Sequence, residues 1–276
     1  MTTPDIHSTS EELGIVELYG APISTFTRTI SLAMHHLNLP YIARQHLPHT
    51  PQVREHNPLG LIPVLIHRPH APFDLNKDVV VLYESAAVKS YLDDALAGIA
   101  AGRRHGSASP PPLTPPLDRA HLVTSSHTRA TVSQISSLAA TSVFPALEPK
   151  LIKVRQAMEG NGADEESIKV ALEEGMEGAR SALHILEGFL EENAKKQSSG
   201  PLYFVGNTPT WADLYVYPIL ADLAATPEGK TLLDPNGKAP KVAAWVQHFA
   251  GLDMAKKTYP GSVPDLRKQE GKAGHQ

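Results

Sequence analysis

Cysteine is missing from all 276 residues. That absence excludes disulfide frameworks, thiolate zinc sites, iron–sulfur clusters and a cysteine nucleophile. An excess of basic charge is missing too: 25 Lys and Arg stand against 29 Asp and Glu, for a net charge of −4. No overall positive field therefore draws the chain onto nucleic acid or acidic lipid. No apolar run approaches the ~18 residues a membrane helix needs, and residues 1–12 have neither the basic start nor the apolar stretch of a secretory signal. A soluble cytoplasmic protein without a nucleic-acid or membrane partner is expected. Histidine is plentiful, at 14 residues, but His35, His36, His67, His70, His121 and His127 do not form H-E-x-x-H or a comparable ligand spacing. No metal is expected.

What is present is an ordinary globular balance, 41% hydrophobic and 20% charged, in a chain long enough for one large domain or two small ones. Residues 15–19 are β-branched and aromatic and end at Gly20, which reads as a buried strand. The period then changes: Thr27, Ile30, Ala33, Met34 and Leu37 share one helical face, and Pro40 stops that helix. Residues 41–47 supply a second strand, so the first fifty residues form a strand–helix–strand unit. A short helical or irregular piece at 51–56 and the loop Asn57-Pro58-Leu59-Gly60 follow. Residues 64–66 and 79–82 are two further strands joined by a long polar loop. A helix over 84–96, with Val88, Tyr91, Leu92 and Leu96 on one face, completes the order β-α-β-α-β-β-α.

Residues 102–116 hold five prolines among Gly, Ser and Thr, the composition of a semi-extended linker. Beyond it strand signals vanish. Ile168, Leu172, Met176, Ala179, Leu183, Leu186 and Leu190 form one stripe of a long helix, and 211–223 and 242–249 read as helices. Phe144-Pro145 and Glu148-Pro149 are expected to bend or end the helices they interrupt. The domains expected are 1–100, a linker 101–116, an all-helical domain 117–255 and a flexible tail 256–276. Thr210 and Asp213 have the spacing of a capping box. Tyr83, Tyr91, Trp211 and Trp245 are expected in the core or at a subunit contact.

Three loop segments carry chemistry. Gly20-Ala21-Pro22-Ile23-Ser24-Thr25-Phe26-Thr27-Arg28, Asn57-Pro58-Leu59-Gly60-Leu61-Ile62-Pro63-Val64-Leu65 and Leu82-Tyr83-Glu84-Ser85-Ala86-Ala87-Val88 together resemble the signature of the glutathione transferase superfamily. The first is similar to the serine-type phi and theta classes. In the helical half, Gly206-Asn207-Thr208-Pro209-Thr210-Trp211-Ala212-Asp213 is similar to that family's buried capping segment. The resemblance implies an N-terminal thioredoxin-like domain of α/β type followed by an all-helical domain. It also implies a homodimer and transfer of glutathione, a co-substrate rather than a bound cofactor, to a small hydrophobic electrophile, with peroxide reduction as a second activity.

Ser24 lies where the first helix offers unpaired N–H groups and the positive end of its dipole, a place that favours a thiolate. Its hydroxyl would donate to the sulfur and lower the thiol pKa. Ser24 is equally suited to capping that helix. Tyr19 is the runner-up as sulfur partner, with Thr25 and Thr27 behind it. The resemblance makes Pro63 a structural cis-proline that turns the Ile62 backbone toward the cysteinyl part of glutathione. It makes Glu84 and Ser85 the partners of the γ-glutamyl ammonium and carboxylate.

Two positions depart from the family pattern. Leu61 stands where a polar residue commonly helps hold the tripeptide. The cation for the glycyl carboxylate is best matched by His49, with Arg54 in reserve. Both departures point to an alternative, a non-catalytic binding module of the same fold, as in transferase-like portions of translation elongation complexes or fungal nitrogen regulators.

Overall fold

Four strands form a single sheet in the order β2-β1-β3-β4. In β1 (Ile15–Gly20) alternation gives each side chain its face: Val16 and Leu18 are buried on one face, while Glu17 and Tyr19 point to the other. β2 (Ile42–Gln45) runs parallel to β1, β3 (Val64–Arg68) antiparallel to it, and β4 (Val80–Tyr83) antiparallel to β3. The parallel pair is joined by helix α1 (Thr25–His36), the crossover that parallel neighbours require. Helices α2 (Pro51–Arg54) and α3 (Ser85–Tyr91) complete the mixed order expected from the sequence. This computed structural model describes residues 13–69, 79–102, 110–197 and 199–273. Residues 1–12, the interior of the long hairpin loop with His70, residues 103–109 of the linker, residue 198 and residues 274–276 lie outside them.

The chain divides into two compact units, 1–112 and 113–276, a boundary inside the expected linker. In the first unit, Glu17 is buried on the sheet between Arg44 and Arg68. Burial alone would raise its pKa, but the two guanidiniums hold it below the ordinary glutamate value. His67 is 2% exposed and donates from Nε2 to the Leu13 carbonyl at 2.8 Å. That bond fixes the tautomer, so its Nδ1 accepts from the Tyr91 hydroxyl at 2.7 Å.

The helix after β4 runs further than expected. α3 passes through a wide turn at Leu92–Leu96 into α4 (Ala97–Gly102).

The regular elements of the second unit are all helices among its described residues. α5 (Leu122–Leu138) is rich in Ser and Thr, and it satisfies several of their hydroxyls on the carbonyl four residues back, as Ser136 does on Val132 at 2.8 Å. Of the two outcomes expected at the prolines, bending or ending, the second does not occur. The path does not end at either one: it continues through wide turns at Ala139–Val143 and Glu148–Ile152, with α6 (Phe144–Leu147) between them and α7 (Lys153–Gly160) after. Phe144 N–H reaches back five residues to the Ala139 carbonyl, and Lys153 does the same to Glu148. A wide turn moves carbonyls out of the way of the proline rings, which a regular helix cannot do.

The long stripe also breaks once. α8 (Glu165–Ala171) and α9 (Glu173–Ala194) meet at Leu172, yet Ile168, Leu172, Ala179, Leu183, Leu186 and Leu190 are all buried as the period predicts.

α10 (Trp211–Ala224) is buried along nearly its whole length. Asp213, fully buried, accepts from Thr210 N–H and Oγ1 at 2.9 Å, from Phe204 N–H at 3.0 Å and from Trp245 Nε1 at 3.1 Å. Even with four donors, burial pushes its pKa up to about 6. α11 (Pro227–Leu232), α12 (Pro240–Ala250) and α13 (Asp253–Lys257) follow.

The expected flexible tail is instead folded into α14 (Val263–Ala273). Its polarity hid the reason: Arg267 forks onto Glu159 at 2.8 and 3.1 Å and donates to the Ala225 carbonyl at 2.9 Å. Glu159 in turn pairs with Arg155, which is 1% exposed and also holds Glu165 and Glu228.

Candidate functional site

The strand register gathers the sequence-predicted residues. Tyr19 lies opposite Val64, and Val64 opposite Tyr83. Gly20 pairs with Gln45 on the other side. The residues that leave these positions, 21–24 after β1, 46–49 after β2, 62–63 before β3 and 84–85 after β4, therefore share one end of the sheet. Adjacent strands stand ~4.8 Å apart, so the four exits span only about 15 Å.

Ser24 is built by a tight turn. Its N–H donates to Ala21 O at 2.9 Å, its carbonyl accepts the first helical bond from Arg28 at 2.9 Å, and its Oγ accepts from Thr27 N–H at 3.3 Å. It is the N-cap of α1 and stays half-buried. Its neighbours are closed off: Thr25 and Thr27 are 3% and 6% exposed, and both hydroxyls are buried without a hydrogen-bond partner. Gly20 is required beneath them, because a Cβ there would lie 2.4 Å from Thr27 Oγ1. Tyr19 points to the α2 face of the sheet. Its ring stacks on His46 at 5.3 Å, meets His56 edge-on at 5.2 Å, and packs against Val53, Val64 and Ile66.

The second loop is pinned by a residue that sequence reading treated only as a turn former. Asn57 is 1% exposed; its Nδ2 donates to Leu61 O at 2.8 Å and its Oδ1 accepts from Leu59 N–H at 3.0 Å. Those two bonds shape the approach to Ile62-Pro63, whose peptide bond is cis. The signal was there to find: an Asn at the head of a Pro-Leu-Gly turn is the Asx-turn position. Leu61 is 45% exposed and offers only its backbone to polar partners.

His49 and Arg54 lie together. His49 holds a positive φ of 65° and donates its N–H to Gly60 O, while Arg54 Nε donates to His49 O at 3.2 Å and a second guanidinium nitrogen stands 3.5 Å from His49 Nδ1. Gly60, itself at φ +69°, leaves room for that imidazole: a Cβ would sit 2.7 Å from Nδ1.

Glu84 bridges β4 and α3 at φ +68°, ψ +118°, a region that disfavours every side chain. Ser85 opens α3 and is half-buried, while Glu84 is exposed. Among the described residues no group of three His, Asp or Glu could hold a metal ion, and no helix is long and apolar enough to cross a membrane.

A small mixed sheet with two helices beginning at one end, a cis-proline loop beside them and an all-helical unit downstream define a thioredoxin-like domain fused to a helical domain. Residues 23–95 match the model of the glutathione S-transferase N-terminal domain, and residues 169–248 that of the C-terminal domain. The chain belongs to the glutathione transferase superfamily. The N-terminal match takes in Ser24, His49, Ile62, Pro63, Glu84 and Ser85.

Solved structures agree on the fold. Glutathione transferase F7 from Populus trichocarpa is 23% identical, with a TM-score of 0.62, covering 90% of this chain and 99% of its own. Rice GST1 in complex with glutathione is 18% identical, with a TM-score of 0.64 and coverage of 95% and 98%. An epsilon-class glutathione S-transferase from the housefly, Musca domestica, is 19% identical, with a TM-score of 0.62 and coverage of 94% and 97%. No curated protein sequence matches the chain.

Proposed function

We propose that the protein is a serine-type glutathione transferase that joins the glutathione thiolate to small hydrophobic electrophiles, with peroxide reduction as a second activity. The observation that carries this reading is the convergence, at one end of the sheet, of an open Ser24 hydroxyl at a helix start with the Ile62-Pro63 loop and the Glu84-Ser85 helix start.

The chemistry follows from those groups. The α1 N-terminus favours negative charge, and the Ser24 proton is donated to the sulfur, so the thiol ionises nearer neutral pH. The thiolate then attacks the electrophile: a C–S bond forms and the leaving group departs with the electron pair. The thiol proton passes to solvent. No general base is required. Ile62 offers its backbone to the cysteinyl unit, Ser85 and the α3 N–H groups its γ-glutamyl carboxylate, and Glu84 its ammonium. Arg54 supplies positive charge for the glycyl carboxylate, with His49 beside it as a further hydrogen-bonding partner. A homodimer belongs to this reading, and sedimentation of the intact protein tests it.

The exposed apolar side chain of Leu61 favours the second reading, a binding module without turnover. One experiment separates them: retention on immobilised glutathione, measured together with turnover of chlorodinitrobenzene. Retention with Ser24-dependent turnover supports the transferase. Retention alone leaves the binding module, and loss of both removes glutathione from the site.

A further inference from the structure

Three leucines stand in water where two loops of the first unit cross. Leu47, Leu59 and Leu61 are 54%, 57% and 45% exposed. The crossing is made by the His49 N–H, which donates to the Gly60 carbonyl at 2.6 Å. Leu59 and Leu61 flank Gly60 on one loop, and Leu47 precedes His49 by two residues on the other.

The backbone that carries them is fixed. Gly60, at φ +69°, has no room for a Cβ against the His49 ring. Buried Asn57 ties the Leu59 N–H and the Leu61 carbonyl, and the Thr50 hydroxyl donates to the Leu47 carbonyl at 3.1 Å. Ile62 packs its side chain onto the buried cluster of Val53, Val64 and Ile66, while its neighbour Leu61 faces out. A single exposed leucine is ordinary. Three on one fixed crossing, beside an Arg54 guanidinium with no ion-pair partner among the described residues, have the make-up of a subsite for a residue with an apolar side chain and a carboxylate.

We propose that this site prefers, over glutathione itself, γ-glutamyl-cysteinyl peptides whose third residue carries an apolar side chain. The inference rests on the proposed reading of the site as one for a γ-glutamyl-cysteinyl thiol. In that reading the cysteinyl unit pairs with the Ile62 backbone and the C-terminal carboxylate faces Arg54, so the third residue runs past Gly60 and Leu61 between those two anchors. Glycine leaves the leucines in water. A leucyl side chain at the same place removes apolar surface from water on both partners. A polar side chain at position 61 would bond the peptide backbone, which every third residue offers equally, whereas leucine distinguishes one side chain from another.

The test is calorimetry of the intact protein with three S-methyl peptides, ending in glycine, in leucine and in glutamine, the last close to leucine in size but polar. The leucine peptide should bind about tenfold more tightly than the other two, the scale of half-burying one such side chain, and with a more negative heat-capacity change. In Leu59→Ser/Leu61→Gln the ratio of leucine-peptide to glycine-peptide affinity should fall to near one. That ratio is internal to each protein, so it does not depend on how strongly the variant holds the shared part of the peptide. Equal affinity for the glycine and leucine peptides, a glutamine peptide as tight as the leucine one, or an unchanged ratio in the double variant would overturn the proposal and leave the glutathione reading in place. Binding of none of the three would overturn both.

Discussion

Ser24 Oγ accepts a hydrogen bond from the Thr27 backbone N–H at 3.3 Å. The bond uses an oxygen lone pair and leaves the hydroxyl proton free to donate. Capping and thiolate support are thus compatible in one side chain, and two variants separate them. Ser24→Ala should cost about 1 kcal/mol of stability through the lost cap, and turnover should fall at least tenfold. Ser24→Asp keeps a cap acceptor but sets a negative charge against the sulfur, so its stability should hold while turnover is lost. Urea midpoints and chlorodinitrobenzene rates check both; an active Ser24→Asp enzyme would contradict the role.

Glu84 sits at φ +68° where a side chain is strained, of order 1 kcal/mol or more. Glu84→Gly should therefore raise the stability of the protein while weakening glutathione binding about tenfold, by removing the partner of the ammonium. Ser85→Ala should weaken binding to a similar degree without the gain in stability. Thermal unfolding and calorimetry on the same samples decide it. A Glu84→Gly protein that is no more stable, or that binds as native does, would show that the strain serves another purpose.

The Arg54 guanidinium is bonded to the His49 carbonyl and lies against its ring, so in the proposed function both can face the glycyl carboxylate. A guanidinium carries charge at every pH. Affinity for S-methylglutathione should fall about tenfold in Arg54→Gln, the scale of one charge-assisted contact, and less in His49→Gln. Calorimetry on both variants checks it. Native affinity in Arg54→Gln beside a large loss in His49→Gln would assign the carboxylate to His49 alone.

The two units contain buried groups that respond to acid with opposite sign. Burial lowers the His67 pKa, against the raising effect of its bond to Leu13. Below about pH 6.5 an unfolded chain takes up a proton that the folded one resists, so stability drains from the first unit as pH falls. His67→Gln keeps both hydrogen bonds without a titration, and its stability deficit should shrink between pH 7 and pH 5. Asp213, raised to about 6, is the reverse: its stabilising effect is full below the unfolded value near 4 and is lost as pH rises through 6. The Phe204 and Thr210 amide resonances should titrate near pH 6. A midpoint below 4 would show that the four donors outweigh burial.

Period and turn chemistry made the first unit legible. The run to Gly20, the α1 stripe and the Ser24 and Glu84-Ser85 helix starts stand where the sequence places them. What escaped was decided by tertiary partners. Pro145 and Pro149 read as bends or ends because a regular helix cannot hold them, whereas a wide turn can, and no local pattern announces one. Residues 263–273 read as a tail because they are polar, and their hold is the Arg267–Glu159 fork across 108 residues of sequence. Asn57 read as a generic turn residue, and its burial depends on a loop that folds back over it. The positive φ of Glu84 arises from joining β4 directly to α3 and leaves no compositional trace.

The central claim is that Ser24 stabilises the sulfur of bound glutathione as a thiolate. Its most direct test is the ultraviolet absorbance of the thiolate in the glutathione complex, followed as a function of pH for native protein and Ser24→Ala. The account predicts a bound thiol that ionises at least one pH unit below free glutathione in the native protein and returns most of the way in Ser24→Ala, each unit being about 1.4 kcal/mol of preferential thiolate stabilisation. The same ionisation curve in both proteins, or a bound thiol no more acidic than the free one, would contradict it.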